Sequence, residues 1–139
     1  MRVGAINGAD AAGCPVEPTE DLLGGRDFLL FDRDTVKEFL YINHSRLVEH
    51  YVYTPELSGK VERQHADYFR IDEYRYLICW REMDTQRGHV GLFDYKAARM
   101  ICTSVHMTTP WSSAIGLSGA MLVPVNGRVD YWDGLKPTN

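Results

Sequence analysis

One strand-like segment of this 139-residue chain carries residue types that suit proton transfer. In residues 74–82 the even positions share a pattern of aromatic, aliphatic and acidic side chains: Tyr74, Tyr76, Ile78, Trp80 and Glu82. Successive side chains of a strand point to opposite faces, so these five share one face, and Arg75 and Arg81 mark the other face as partly solvated. A carboxyl beside an indole is costly as an unpaired anion. We therefore expect the pKa of Glu82 to rise towards that of a catalytic proton donor or acceptor.

Several tyrosines and one histidine could complete such a site. We expect Tyr41, Tyr76 or His106 to polarise or orient a bound molecule, and Trp80 to stack on it. Tyrosine joins a flat apolar ring to a polar tip, which suits the lining of a pocket. The candidate ligand-binding tyrosines are Tyr51, Tyr53, Tyr68, Tyr74 and Tyr76. Two alternatives stay open: the tyrosines are ordinary core aromatics, and Glu82 is a solvated carboxylate at a strand end.

Sequence motifs for metals and cofactors are missing. The chain has no HxH or HExxH spacing, phosphate loop or dinucleotide fingerprint, which predicts a protein that needs no metal, NAD or flavin. A metal site built across strands is the alternative, with His44, His65, His89 and His106 as its candidate ligands. Cys14, Cys79 and Cys102 show no paired spacing, so they predict thiols in a reducing compartment rather than a disulfide framework.

The order of segments predicts an antiparallel β-barrel. Residues 1–18 are rich in small and turn-forming residues and predict a flexible arm, and residues 19–139 predict one domain. Thr19 to Gly24 could form one helical turn, with Thr19 as its N-cap. Strand-like runs then follow, and a Gly/Ser-rich segment begins at Pro110. The runs cover residues 26–31, 35–43, 46–54, 60–71, 74–82, 89–95, 98–107, 120–125 and 128–132. Short strands at this spacing are typical of a closed barrel with room for one small ligand.

Charge and hydropathy exclude several classes of partner. The formal net charge is −4 and no Lys/Arg cluster stands out, so we expect no nucleic-acid binding. No apolar run approaches the length of a membrane span, and the N-terminus lacks the apolar core of a signal peptide. These features predict a cytoplasmic protein that does not bind membranes. A homodimer formed through a strand edge stays open.

Motifs between Glu38 and Leu92 resemble the C-terminal domain of the MoaF family. The matching residues are Glu38 with Tyr41-Ile42-Asn43, then Tyr68-Phe69-Arg70-Ile71, then Tyr76-Leu77-Ile78-Cys79-Trp80-Arg81-Glu82. The last of these is also similar to a strand of the phenolic acid decarboxylases, which are lipocalin-like (calycin) barrels. That resemblance implies a catalytic role inside the barrel for Glu82. Arg63 is a loose counterpart of an arginine in that family and is a ligand-binding candidate, as are Glu38 of the MoaF motif and Trp80. The tyrosine pair that grips the substrate in those enzymes is missing, because the first strand here reads Phe28-Leu29-Leu30-Phe31.

Pattern and resemblance together predict a cofactor-free enzyme. It would use acid/base chemistry, as an isomerase, cyclase, hydratase or lyase, on a small conjugated or aromatic metabolite of secondary metabolism. The alternative is a binding protein that holds the same kind of ligand without changing it. A third interpretation is an interaction module with a filled, dry barrel.

Overall fold

The computed structural model describes residues 16–83, 85–109 and 112–125, which form nine antiparallel strands and no helix. In chain order the strands are β1 (Glu17–Pro18), β2 (Arg26–Asp32), β3 (Thr35–Asn43), β4 (Arg46–Tyr53), β5 (Val61–Arg70), β6 (Arg75–Arg81), β7 (Gly88–Asp94), β8 (Arg99–Thr109) and β9 (Ser112–Val125). From β2 to β9 each strand pairs with the next, and β9 pairs back with β2, so eight strands close into a barrel. The predicted all-β antiparallel barrel is confirmed.

Alternate side chains of the barrel strands point inward and form one apolar core. Its buried members are Leu29, Phe39, Tyr41, Leu47, Ala66, Tyr68, Tyr76, Ile78, Trp80, Phe93, Met100, Cys102, Ala120 and Leu122. Burial of this apolar surface is the main term that stabilises the barrel. The two ends of the barrel are named here by the direction of the strands. Strands β2, β4, β6 and β8 begin at the closed end and finish at the open end.

Residues 20–25 cover the closed end. The predicted helical turn is instead two successive turns, in which Leu23 N donates to Glu20 O and Gly25 N donates to Leu22 O. Thr19 does cap the segment, because its hydroxyl accepts the Asp21 amide at 3.2 Å. Gly24 has a φ of 83°, which glycine adopts without strain, and its amide donates to Tyr41 O at 2.8 Å. These bonds hold the segment against the end of β3, so it cannot continue as a helix.

The predicted arm is too long at its C-terminal end. Val16 is buried, and β1 pairs with the last residues of β5 through Glu17 and Arg70. Residues 16–18 therefore belong to the barrel, whereas residues 1–15 lie outside the described part of the chain. The segment 128–132, a predicted strand, also lies outside it.

Most predicted strands agree with the structure to within two residues, but β9 is longer than expected. The Gly/Ser-rich residues from Ser112 onward pair with β8 instead of forming a loop. Hydrogen bonds from a neighbouring strand can hold small residues in a ladder, although their intrinsic strand propensity is poor. Among the described residues, no helix is long and apolar enough to cross a membrane.

Candidate functional site

Three inward side chains near the open end lie side by side because the strand register places them there. Trp80 on β6 is the direct partner of His89 on β7, and His89 is the direct partner of Ser104 on β8. Directly opposite residues of antiparallel strands have Cβ atoms about 5 Å apart and point to the same face. The row therefore follows from backbone pairing alone.

A hydrogen-bonded line runs through this row. His89 Nε2 lies 3.1 Å from Glu82 Oε1, and His89 Nδ1 lies 2.6 Å from Ser104 Oγ. Thr85 donates its hydroxyl to the second carboxylate oxygen of Glu82. The side chains of Glu82 and His89 are only 14% and 12% exposed, so the pair is largely shielded from water. We call Glu82, His89 and Ser104 the relay.

Trp80 packs against the relay. Its indole stacks on the His89 ring with centroids 4.9 Å apart, and Phe39 meets it edge-on at 5.2 Å. The flat ring needs the glycine at position 91, where an added Cβ would come within 2.9 Å of the indole. His89 therefore covers one face of the indole, and the stacking of Trp80 on a ligand stays a prediction.

The pKa values within the relay move apart. The hydrogen bond from His89 lowers the pKa of Glu82 to about 2, against an opposing effect of burial and with help from Thr85 and Lys37. Burial alone would lower the pKa of His89, but its hydrogen bonds to Cys102 and Glu82 outweigh that and raise it to about 9. The sequence expectation of a raised pKa at Glu82 is corrected. At neutral pH Glu82 is therefore a carboxylate and His89 an imidazolium.

A second polar group lies inside the open end. Glu49 accepts hydrogen bonds from Lys37 at 2.9 Å, from Gln64 at 3.2 Å and from Tyr51 at 3.3 Å. Burial, followed by the charge of Glu49, raises the pKa of the Tyr51 phenol. A buried carboxylate with three donors is satisfied. This group therefore lies beside the relay, since the charge of Lys37 also acts on Glu82.

The inner face of the barrel has open space beside Ser104. Its partner across the β8–β9 ladder is Gly116, and an added Cβ there would meet no atom within 4 Å. The neighbouring positions on the same face, Ala114 and Ser118, are small and exposed. Ser104 therefore lies beside open space at Gly116.

The sequence profile of the MoaF C-terminal domain matches residues 16–114. The chain belongs to the MoaF C-terminal domain family. The match includes every member of the relay, and the family resemblance noted in the sequence is confirmed. The family description names no reaction, so the chemistry of the site rests on its geometry.

Solved structures add a likeness of fold to this MoaF-domain assignment. A chain described as “Crystal Structure of a putative beta-lactamase from Burkholderia vietnamiensis” has a TM-score of 0.60 and 16% sequence identity. The alignment covers 75% of this chain and 95% of that one. At this identity the likeness concerns the fold alone. No curated protein matched the MoaF-domain chain.

Some predicted site residues of this MoaF domain do meet at the open end. Glu82, Trp80 and Tyr51 point inward there. His106 lies two residues beyond Ser104 on the same face of β8, at the rim, and is partly exposed. Of the predicted catalytic residues, Glu82 and His106 therefore share one end of the barrel.

The structure separates the remaining candidates from that end. Tyr41, Tyr68 and Tyr76 lie in the core near the closed end, where Tyr41 and Tyr68 meet edge-on at 5.7 Å. Glu38 points away from the barrel interior and binds Arg26 at 2.6 Å and His50 at 3.1 Å. Three others are exposed: Tyr53, Arg63 and Tyr74. A strand pattern shows which residues share a face but not which end of the closed barrel they occupy, so it could not separate Tyr41, Tyr68 and Tyr76 from Glu82.

Sequence reasoning missed the roles of His89, Ser104 and Lys37. The alternation of His89, Gly91 and Phe93 in β7 was a usable signal, because an inward histidine beside an inward tryptophan needs a polar partner. In the described part of the chain, no three His, Cys, Asp or Glu side chains are grouped to hold a metal. His44 is exposed in the β3–β4 turn, and His65 contacts Arg46. Cys79 and Cys102 are free thiols.

Proposed function

We propose that the open end of the barrel binds a small conjugated or aromatic molecule and exchanges protons with it through the relay. The observation that carries this proposal is the continuous line from Glu82 through His89 to Ser104, which ends beside the space at Gly116. A carboxylate, an imidazole and a hydroxyl in series are a recurrent arrangement for moving a proton.

The pKa values support the direction of proton flow. With a pKa of about 9, the His89 imidazole is protonated at neutral pH, so Nδ1–H donates to Ser104 Oγ and Nε2–H donates to Glu82. Ser104 can then pass its own proton to a ligand oxygen or carbon while it receives the proton of His89. Glu82 holds the imidazolium in place and is a positioning residue in this scheme.

The same protonation state argues against Ser104 as a nucleophile at neutral pH. A serine attacks when a neutral base accepts its proton, and here the ring nitrogen facing Ser104 already carries one. The protonation state of His89 therefore favours an isomerase, hydratase, cyclase or lyase over acyl transfer. The protein would need no cofactor for such chemistry.

Solvent-isotope exchange tests the proposal even while the substrate is unidentified. Molecules that remain bound after mild purification are identified by mass spectrometry, and conjugated oxygenated fragments are screened by shifts of the His89 ring signals. Bound molecules are then incubated with the protein in deuterated water. We expect conversion or deuterium uptake, slowed by about 10²–10⁴-fold in His89→Gln and Ser104→Ala.

Arg81→Gln is the matched control, because Arg81 is exposed on the opposite face of β6 from Trp80. It should bind and convert the same molecule at an unchanged rate. Tight binding at the relay without conversion or deuterium uptake would instead support the second candidate, a binding protein. Ligand signals confined to residues outside the open end would contradict both.

A further inference from the structure

An exposed apolar surface covers the outer side of the barrel where β7, β8, β9 and β2 run side by side. We call it the β8–β9 surface; its members are Leu30, Val90, Ile101, Val105, Ile115, Leu117, Met121 and Val123. Leu117 and Ile115 are 77% and 73% exposed, and they are the two most exposed large apolar side chains in the described part of the chain. Single exposed apolar residues are ordinary, but a contiguous set of eight is not.

Strand register makes these side chains one continuous patch. Leu30 is the partner of Met121, and Val105 is the partner of Ile115. Thr103 lies between these two pairs, with Val90 as its partner on β7 and Leu117 as its partner on β9. Asp94 and Arg99 face each other where β7 ends and β8 begins, and Arg99 is the partner of Met121 at the margin of the patch. The centre is therefore apolar and the charges lie at its rim, as in protein interfaces.

The β8–β9 surface carries both a projection and a groove. Gly119 has no side chain opposite Ile101, and a shallow groove follows between Leu30, Ile101, Gly119 and Met121. Leu117 projects from the same strand only two residues away. A two-fold axis would bring the Leu117 of one copy over the groove of the other, and such a contact is self-complementary.

The backbone beside the β8–β9 surface has a strand neighbour on one side only within the described part of the chain. Residues 112–120 of β9 pair with β8, but pairing of β9 with β2 is confined to residues 121–125. Among the described strands, none lies along the other edge of residues 112–120. Free strand edges that carry apolar side chains invite pairing and are normally covered.

We propose that the β8–β9 surface is the interface of a homodimer. The eight exposed side chains offer on the order of 800 Å² per copy, which is about what each partner contributes to a standard protein interface. A second copy covers the apolar patch, seats Leu117 in the groove at Gly119, and shields the free edge of β9. The relay faces the barrel interior, so this inference does not depend on the proposed function.

Sedimentation velocity over a concentration series tests the proposal on the full chain. We expect the unchanged protein at micromolar concentration to sediment as a species of twice the 15.9 kDa chain mass. Leu117→Glu should shift it to the monomer, with at least a hundredfold weaker association, because a carboxylate would be desolvated at the centre of the interface. Val61→Glu is the matched control, since Val61 is an exposed strand residue on β5, on the other side of the barrel.

Circular dichroism should show that Leu117→Glu keeps the β-sheet signal of the unchanged protein. If that variant does not fold, Leu117→Ser provides the same comparison with a smaller change. A monomeric unchanged protein at 100 µM would overturn the proposal, whatever else covers the surface. A dimer that persists in folded Leu117→Glu or Leu117→Ser would also overturn it, because the interface would then lie elsewhere.

Discussion

The two ends of the barrel each contain a shielded carboxyl group, and they treat it in opposite ways. At the closed end Asp27 accepts hydrogen bonds from Tyr41 and Tyr95, both at 2.5 Å, yet burial raises its pKa in spite of them. At the open end Glu82 accepts a hydrogen bond from His89, and this bond lowers its pKa to about 2 in spite of burial.

The difference lies in the partners rather than in the carboxyls. Phenols donate hydrogen bonds but bring no compensating charge, and burial raises the pKa of Tyr41 well above its ordinary value. An imidazole can take a proton and become a cation, so the carboxylate at the open end gains a counter-charge. The partners of Asp27 are neutral donors, whereas the partner of Glu82 is a base that can itself carry a proton.

Removal of Asp27 should have the largest effect on stability. Asp27→Ala leaves two phenolic hydroxyls without their acceptor in the shielded closed end, and we expect a loss of about 2–5 kcal/mol in the free energy of unfolding. Chemical denaturation measures this loss. Asp67→Ala is the control, because Asp67 is exposed on the outer face of β5 and should change stability by no more than about 0.5 kcal/mol. A loss below about 1 kcal/mol for Asp27→Ala would mean that water replaces the carboxylate and that the closed end is not sealed.

Loss of the carboxylate at the open end should lower the pKa of His89. In Glu82→Gln the imidazolium loses its counter-charge, and we expect its pKa to fall from about 9 by roughly one unit or more. The pH dependence of the His89 ring signals in NMR spectra measures this pKa. Cys102→Ala should also lower it, since Cys102 contributes to the shift, while Arg81→Gln should leave it unchanged. A pKa that stays near 9 in Glu82→Gln would assign the shift to the Cys102 side alone.

A smaller effect concerns pH: the relay should stabilise the folded protein only within a defined pH range. Glu82 has a folded pKa of about 2, below its ordinary 4.5, so its contribution is complete above pH 4.5 and is lost as the pH falls through 2. His89 has a folded pKa of about 9, above its ordinary 6.5, so its contribution is complete below pH 6.5 and is lost as the pH rises through 9.

The unchanged protein should therefore exceed Glu82→Gln in stability by about 1–2 kcal/mol between pH 4.5 and 6.5. The excess should shrink as the pH rises through 9, because His89 then loses its charge. Urea denaturation of both proteins at pH 5.5 and pH 9.5 measures this excess. An equal difference at the two values would show that packing, not the ion pair, is what Glu82 contributes.

Local sequence was sufficient for most of the strands, for the faces of residues 76–81 and for the family. Alternation within residues 74–82 correctly placed Tyr76, Ile78 and Trp80 inward, with Arg81 outward. Tyr74 is the exception within this segment, because it lies just before β6 and is 45% exposed. Alternation is a property of each strand by itself, since it needs only the direction of successive side chains. This is why most strand limits and the closed barrel followed from the sequence.

Only the tertiary structure decided which side chains meet. Barrel closure and the β6–β7–β8 register bring Glu82, His89 and Ser104 together, although they lie up to 22 positions apart in the chain. The same closure carries Tyr41 to the opposite end, beside Asp27. The sign of each pKa shift depends on which side chains are in contact, because a charged partner outweighs the effect of burial on the pKa and a neutral donor does not. Register between distant strands depends on the whole barrel, so no local pattern could determine it.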